Sequence, residues 1–201
     1  VNAFPICLDT QDTQEIIETV VRIAPAFGGI NLEDISAPRC FEIEEALKER
    51  LDIPVFHDDQ HGTAIVVLAG VINSLKLTGK KKEDCRVVVN GAGSAGIAIT
   101  KLLLTYGFAH ITMCDRSGIL SRGADDLNWM QEKMMDVTNL DHRTGTLADA
   151  MKGADIFVGV SAPGIVTQDM VASMNKDAIL FAMANPVPEI MPEPVSYTHL
   201  R

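Results

Sequence analysis

A glycine-rich segment between an apolar strand and an amphipathic helix constrains the fold of this chain most strongly. Arg86 to Val89 have the short apolar composition of a buried strand, and Asn-Gly-Ala-Gly-Ser-Ala-Gly follows at residues 90–96. In this arrangement Gly91 makes a tight turn, Gly93 lets the backbone approach a pyrophosphate, and Gly96 allows close helix–strand packing. The amino end of the next helix then faces the phosphates. The segment predicts a dinucleotide site, with cofactor contacts at Gly91, Gly93, Ser94, Ala95 and Gly96.

Beyond a charged connector that begins at Thr78-Gly79, apolar strands alternate with helical patterns. This alternation predicts an α/β fold with a Rossmann-like, doubly wound parallel sheet. We place a domain boundary at the connector, so that residues 1–78 form part of a first α/β domain and residues 79–194 form the dinucleotide-binding domain. The predicted strands are 4–8, 30–32, 53–56, 86–89, 110–114, 155–160 and 178–184. The predicted helices are 12–25, 36–51, 63–77, 94–106, 124–136 and 167–174.

The second strand of the dinucleotide-binding domain ends in Asp115, which is followed by Arg116. A carboxylate at this place accepts hydrogen bonds from ribose hydroxyls and repels a 2′-phosphate, which favours NAD over NADP. The neighbouring arginine could pair with that phosphate, so NADP stays an alternative. In a second interpretation Asp115 only caps the turn at Ser117-Gly118.

Two later strands end in polar residues that we expect to line the cofactor crevice. One strand runs into Ser161, and the next runs into Asn185-Pro186. The amide of Asn185 could bind a ribose, the nicotinamide or a substrate carboxylate. An asparagine before proline is also a common turn former, and this alternative stays open.

Two acidic pairs follow short apolar runs upstream. Glu33-Asp34 comes after Ile30-Asn31-Leu32, and Asp58-Asp59 comes after a run that ends in His57. Carboxylates gathered at strand ends repel one another unless a cation lies between them, and an all-oxygen ligand set suits Mg²⁺ or Mn²⁺. The alternative is that these residues are ordinary surface acids. We expect His57 and His61 to be structural residues with satisfied hydrogen bonds.

Bulk composition excludes several classes of partner. The 201 residues include 17 basic and 27 acidic side chains, a net charge of −10 that repels nucleic acid and anionic membranes. Four scattered cysteines, without a Cys-x-x-Cys pair, favour reduced thiols in a cytoplasmic protein. We interpret the apolar stretch Thr63 to Leu77 as a buried helix that is too short to span a membrane.

Three segments together resemble the malic enzymes, specifically the short bacterial type, and the similarity extends from Val1 to about Pro194. These segments are residues 27–35, residues 55–64 and Ala184-Asn185-Pro186. The resemblance implies that Glu33, Asp34 and Asp59 bind the divalent metal, that Asp58 helps to set protonation in catalysis, and that Asn185 contacts cofactor or substrate. It also assigns the fingerprint glycines to the cofactor.

The chemistry that this resemblance implies is oxidative decarboxylation of malate to pyruvate and carbon dioxide, with reduction of NAD(P) and a requirement for Mg²⁺ or Mn²⁺. It also implies a homo-oligomer. The tyrosine and lysine that the family uses as general acid and base are expected upstream of Val1, so we expect this fragment alone to turn malate over poorly. We expect residues 195–201 to be a foreign tail.

Three alternatives are kept. One is a malolactic conversion on the same fold, in which lactate is the product. The second is a noncatalytic module that only senses a nucleotide, although the acidic pairs argue against it. The third, a short dehydrogenase without a metal, does not explain why four acids follow two strands.

Overall fold

The computed structural model describes residues 1–124 and 126–195. The chain divides into two compact units, Val1–Asp59 and Gln60–Arg201. This division comes before the boundary expected near residue 78, because the helix Thr63–Thr78 packs with the second unit. The expected foreign tail, apart from Val195, lies outside the described residues.

The first unit contains two helices and a short parallel sheet. Its elements are α1 (Thr13–Ile23) with the 3-10 turn Ala24–Ala26 after it, β1 (Ile30–Leu32), α2 (Arg39–Arg50) and β2 (Val55–His57). Asp12 caps α1 because its side chain accepts hydrogen bonds from the backbone N–H groups of Gln14 and Glu15. The apolar faces of both helices and the sheet share one core, formed by Ile16, Ile17, Val20, Leu32, Ile43, Leu47 and Val55.

The prediction of a strand at residues 4–8 is wrong. These residues form neither helix nor strand, and Phe4 and Ile6 are 71% and 52% exposed. Strands β1 and β2 pair only with each other within the described residues, so the apolar run finds no sheet to join. An apolar composition without a pairing partner does not make a stable strand.

The second unit is built on a five-stranded sheet. The strand order is β5-β4-β3-β6-β7, parallel throughout except for the antiparallel pairing of β5 with β4. The strands are β3 (Arg86–Asn90), β4 (His110–Asp115), β5 (Gly118–Ile119), β6 (Ile156–Gly159) and β7 (Ile179–Ala182). The helices are α3 (Thr63–Thr78), α4 (Ser94–Tyr106), α5 (Trp129–Met134), α6 (Leu147–Met151), α7 (Gln168–Ala172) and α8 (Pro192–Val195).

Helices cover both faces of this sheet, which confirms the doubly wound fold. Val87 and Val89 of β3 belong to the core shared with α3 and α4, whereas Val88 belongs to the core shared with α6, α7 and α8. This alternation follows from the two-residue period of a strand. The sequence prediction did not include β5, α6, α8, the 3-10 turn Ala24–Ala26 or the π-helical turn Asp58–Gly62 that precedes α3.

Helix α3 differs from its expected burial and length. Together with the π turn it forms a continuous stretch of 21 residues, Asp58–Thr78, in which an 18-residue window has a mean hydropathy of 1.3. By length and composition alone this stretch could cross a membrane. The segment of the sequence prediction, Thr63 to Leu77, reaches this length only because the π turn Asp58–Gly62 continues into α3. Val67 and Val71 pack into the core, but Val66 is 64% exposed, so only one face of α3 is buried. Gly79 ends the helix with a left-handed φ of 69°.

Candidate dinucleotide and metal sites

The fingerprint glycines lie between β3 and α4, and each meets a different environment. Gly91 has a φ of 113°, and a Cβ there would lie 2.5 Å from the carbonyl oxygen of Val160. A Cβ on Gly96 would overlap the carbonyl oxygen of Gly91. A Cβ on Gly93 would meet no described atom within 4 Å. Gly91 and Gly96 thus permit the tight fold of the loop, whereas Gly93 faces open space that a ligand could occupy.

Helix α4 begins at this open space. Ser94 and Ala95 are its first two residues and are half-buried. Gly93 caps the helix without a side chain, so the first backbone N–H groups are available to an anion. A helix amino terminus of this kind stabilises phosphate through those N–H groups and the helix dipole.

The order of the strands places this loop at a topological switch point. The chain continues from β3 to β4 on one side and later to β6 and β7 on the other. In open α/β sheets, ligands bind outside the carboxyl ends of the strands where the order reverses. Here that position is between the carboxyl ends of β3 and β6, beside Gly91 and Ser161.

Asp115 lies at the carboxyl end of β4 and is already engaged in a turn. Its Oδ1 accepts hydrogen bonds from the N–H of Ser117 at 2.8 Å and from the hydroxyl of Ser117 at 2.6 Å. The structure therefore shows Asp115 in the turn-capping role at Ser117-Gly118. The second carboxylate oxygen, Oδ2, takes no part in these two bonds, so a contact to ribose stays a prediction. Arg116 is exposed next to it.

Ser161 and Asn185 follow the carboxyl ends of β6 and β7, and both are exposed. The side-chain amide of Asn90 donates a hydrogen bond to Ser161 Oγ at 2.7 Å, which connects the end of β3 to the end of β6. The structure brings Ser161 and the segment before Asn185 together through a third residue, Glu189. The predicted contacts thus occupy one edge of the sheet.

The four acids of the predicted metal site lie at one edge of the small sheet in the first unit. Leu32 of β1 pairs with His57 of parallel β2, so Glu33-Asp34 and Asp58-Asp59 both follow the same register position. Asn31 donates a hydrogen bond of 2.8 Å from Nδ2 to Glu33 Oε1. The set of carboxylate oxygens fits a hard divalent cation. Among the described residues, however, no group of three or more His, Cys, Asp or Glu side chains is placed to hold a metal ion.

Two family profiles match this chain over both units. One, described as the N-terminal domain of malic enzyme, covers residues 4–48, and the other, the NAD-binding domain of malic enzyme, covers residues 60–198. The chain belongs to the malic enzyme family. This finding confirms the resemblance and the α/β, Rossmann-like fold inferred from the sequence.

Individual malic enzymes are similar along nearly the whole chain. The NAD-dependent malic enzyme of Geobacillus stearothermophilus is 60% identical over 193 residues, which are 96% of this chain and 40% of that enzyme. The bifunctional malic/malolactic enzyme of Bacillus subtilis is 56% identical over 194 residues, 96% of this chain and 47% of that enzyme. The chain therefore spans less than half the length of these two relatives.

A solved structure agrees with the fold. The crystal structure of the NAD-dependent malic enzyme from Thermotoga maritima superposes with a TM-score of 0.97 at 46% sequence identity. The match covers 100% of this chain and 54% of that one.

Sequence reasoning missed three buried polar residues that hold the loops of the predicted cofactor site. Besides Asn90, Gln131 donates a hydrogen bond of 3.1 Å from Nε2 to the carbonyl oxygen of Ala92, inside the glycine loop. Glu189 is completely buried between the segments that follow β6 and β7. Asn90 directly precedes the fingerprint and could have been found from that position. The contacts of Gln131 with Ala92 and of Glu189 with Ser161 join residues 39 and 28 positions apart, which no local pattern indicates.

His57 departs from the expectation of a satisfied structural histidine. Its side chain is fully buried, and neither ring nitrogen has a hydrogen-bond partner in the described part of the chain. Burial of an unpaired imidazole costs free energy. A strand position explains the burial of this residue, but nothing in the structure explains its lack of partners.

Proposed function

We propose that this chain carries the dinucleotide-binding and metal-binding parts of an enzyme that oxidatively decarboxylates malate to pyruvate. The observation that carries the proposal is the loop between β3 and α4, where Gly93 leaves open space in front of the helix amino terminus. The family assignment supports the same reaction, since the relative from Geobacillus is an NAD-dependent malic enzyme.

The proposed roles follow from position. The N–H groups at the start of α4 would bind the pyrophosphate, and Asp115 Oδ2 would accept a hydrogen bond from the adenosine ribose. Ser161 and Asn185 would contact the nicotinamide half or the substrate. Because Asp115 is an acid at the ribose position, we propose NAD as the preferred cofactor, with NADP as the alternative that the exposed Arg116 would favour.

Glu33, Asp34 and Asp59 would hold Mg²⁺ or Mn²⁺ in this proposal, because they supply three carboxylates at one sheet edge. When bound, such a cation supplies Lewis acidity that stabilises negative charge on a substrate oxygen. Asp58 follows the same strand and would help to set the protonation state of the site.

A second candidate reaction is the malolactic conversion of malate to lactate. It is favoured by one specific observation, the 56% identity to an enzyme described as bifunctional malic/malolactic. We also propose a cytoplasmic, homo-oligomeric protein. The four unpaired cysteines support the reducing compartment.

The test is a product assay with the full-length protein expressed from the gene that encodes this chain, because we expect this segment alone to turn malate over poorly. Malate, Mn²⁺ and either NAD⁺ or NADP⁺ are supplied, and pyruvate, lactate and reduced cofactor are measured. We expect pyruvate and reduced cofactor in equal amounts, formed faster with NAD⁺. Lactate without net cofactor reduction would establish the malolactic alternative, and no product with either cofactor would contradict both.

A further inference from the structure

The buried carboxylate of Glu189 connects two segments at the carboxyl edge of the large sheet. Its Oε1 accepts hydrogen bonds from the N–H of Ser161 at 2.9 Å and from the hydroxyl of Ser161 at 3.2 Å. Its Oε2 accepts a hydrogen bond of 3.0 Å from the N–H of Ala184. One side chain thus fixes the segment after β6 to the segment after β7, immediately before Asn185.

The network extends to the fingerprint. Asn90 donates to Ser161 Oγ at 2.7 Å, and Ser161 in turn donates to Glu189, so the ends of β3, β6 and β7 form one hydrogen-bonded row. The backbone of the Glu189 segment is also fixed, because Val166 N–H donates to the Glu189 carbonyl oxygen at 3.0 Å. The hydrogen bonds from Ser161 and Ala184 to the Glu189 carboxylate are charge-assisted. Such bonds are stronger than neutral ones and hold a loop in one arrangement.

The neighbouring strand leaves space for this carboxylate. Gly159 is the last residue of β6, and a Cβ built there would lie 2.6 Å from Glu189 Oε1. Any larger residue would displace the carboxylate from its three donors. Glu189 is fully buried, whereas Ser161 is exposed. Ala184, the other residue that it holds, directly precedes the exposed Asn185.

The strand order indicates which half of a dinucleotide these segments would face. The two mononucleotide halves bind on opposite sides of the switch point, with the adenosine ribose at the acid that ends the second strand, here Asp115 of β4. The nicotinamide half then lies towards β6 and β7, where Glu189 holds Ser161 and Ala184.

We propose that Glu189 is a positioning residue that holds the nicotinamide half of the cofactor site in its binding arrangement. This inference rests on the proposed dinucleotide function. The physical reason is that a site already ordered loses less conformational entropy when the ligand binds. In Glu189→Gln, one oxygen becomes an NH₂ group that faces an N–H donor, so one hydrogen bond is replaced by a repulsive contact.

The test compares ligand affinities of the wild-type chain and Glu189→Gln, using NADH and ADP as separate probes. ADP carries only the adenosine and pyrophosphate groups. We expect the NADH dissociation constant to rise about tenfold or more, since leaving one buried donor unsatisfied has effects of this order. The ADP dissociation constant should stay within about twofold, which a general loss of structure could not produce.

Asp155→Asn is the matched control. Asp155 is a buried acid directly before β6, at the opposite edge of the same sheet, and it also accepts backbone and side-chain donors. Its substitution should lower stability without a change in NADH affinity. Equal NADH affinity in wild type and Glu189→Gln, or parallel weakening of NADH and ADP, would overturn the inference while leaving the proposed function intact.

Two further outcomes are distinct. Failure of the wild-type chain to bind NADH would overturn both the proposed function and this inference. If Glu189→Gln does not fold, Glu189→Asp, which keeps both acceptor oxygens, is judged by the same two affinities. Unfolding of both variants while Asp155→Asn stays folded would show that the carboxylate holds the fold rather than the cofactor site, and it would overturn the inference.

Discussion

Leu32 and His57 are paired in parallel register at the carboxyl edge of the small sheet. The residues that follow them, Glu33-Asp34 and Asp58-Asp59, therefore begin at equivalent positions on adjacent strands. The carboxylates do not already form a three-ligand cluster among the described residues. The parallel pairing nevertheless gives the metal hypothesis a structural basis that the separated sequence segments alone did not have.

Asp59→Asn should weaken Mn²⁺ binding at least about tenfold, because the affinity of an oxygen site depends on the number of charged ligands. The free Mn²⁺ signal in an electron paramagnetic resonance titration measures this affinity. The matched control is Asp52→Asn, which removes an exposed acid before the amino end of β2. Equal effects of the two variants would mean that only the overall negative charge attracts the ion.

Gly96→Ala should lower the stability of the fold much more than Gly93→Ala does. A Cβ on Gly96 overlaps the Gly91 carbonyl, so Gly96→Ala should lower the free energy of unfolding by about 3 kcal/mol. Gly93 has a φ of −91° that alanine adopts, and its Cβ would meet open space, so Gly93→Ala should change stability by less than about 1 kcal/mol. Urea unfolding measures both values. A similar loss in both variants would contradict the division of roles among the glycines.

Lys80 and Asp155 form a second testable pair, at the amino edge of the large sheet. Lys80 Nζ lies 2.7 Å from Asp155 Oδ1, and the N–H of Arg86 donates to Oδ2 at 3.0 Å. Burial by itself would raise the pKa of Asp155, but hydrogen bonds from Lys80, Arg86 and Asn175 outweigh it and hold the pKa below its ordinary value.

A lowered folded-state pKa makes the native state bind its proton less readily than the unfolded state does. The stabilisation is therefore complete above the unfolded pKa of about 3.9 and is lost as the pH falls through the folded value. We expect Asp155→Asn to cost about 1–3 kcal/mol at pH 7. The difference from wild type should shrink below about pH 4. A difference that does not depend on pH would exclude the ionised carboxylate as its cause.

The four cysteines should differ sharply in reactivity. Burial raises the pKa of Cys40 and Cys85 to about 11 and that of Cys114 to about 12, whereas Cys7 is exposed. Because the thiolate is the nucleophile, iodoacetamide at pH 7.5 should label Cys7 alone in the native chain and all four thiols in urea. Peptide mass spectrometry identifies the labelled sites. Rapid native labelling of Cys114 would contradict its place in the core.

The sequence predicted those parts of the molecule whose determinants are local. Helix α4 was expected at residues 94–106 and is found at Ser94–Tyr106, since a glycine turn precedes it and Gly107 ends it. The prediction of a strand from the apolar run at residues 4–8 failed because strand formation requires a pairing partner, which a local pattern does not reveal. The two-residue strand β5 was missed because it is too short to show a period.

The candidate site was predictable to a similar degree. Fingerprint residues and strand-end acids could be proposed from the sequence because they directly follow apolar runs. Glu189 was not found, because its role depends on Ser161, 28 residues earlier in the chain. A glutamate between Pro188 and Ile190 gives no local sign of complete burial.

The most direct test of dinucleotide binding at the loop between β3 and α4 is an NADH titration followed by the backbone amide resonances of the chain. We expect the largest shifts at residues 91–96, with further shifts at Asp115, Ser161 and Asn185. Saturable binding with shifts confined to other residues, or no binding at millimolar NADH, would contradict a dinucleotide site at the carboxyl ends of β3 and β6.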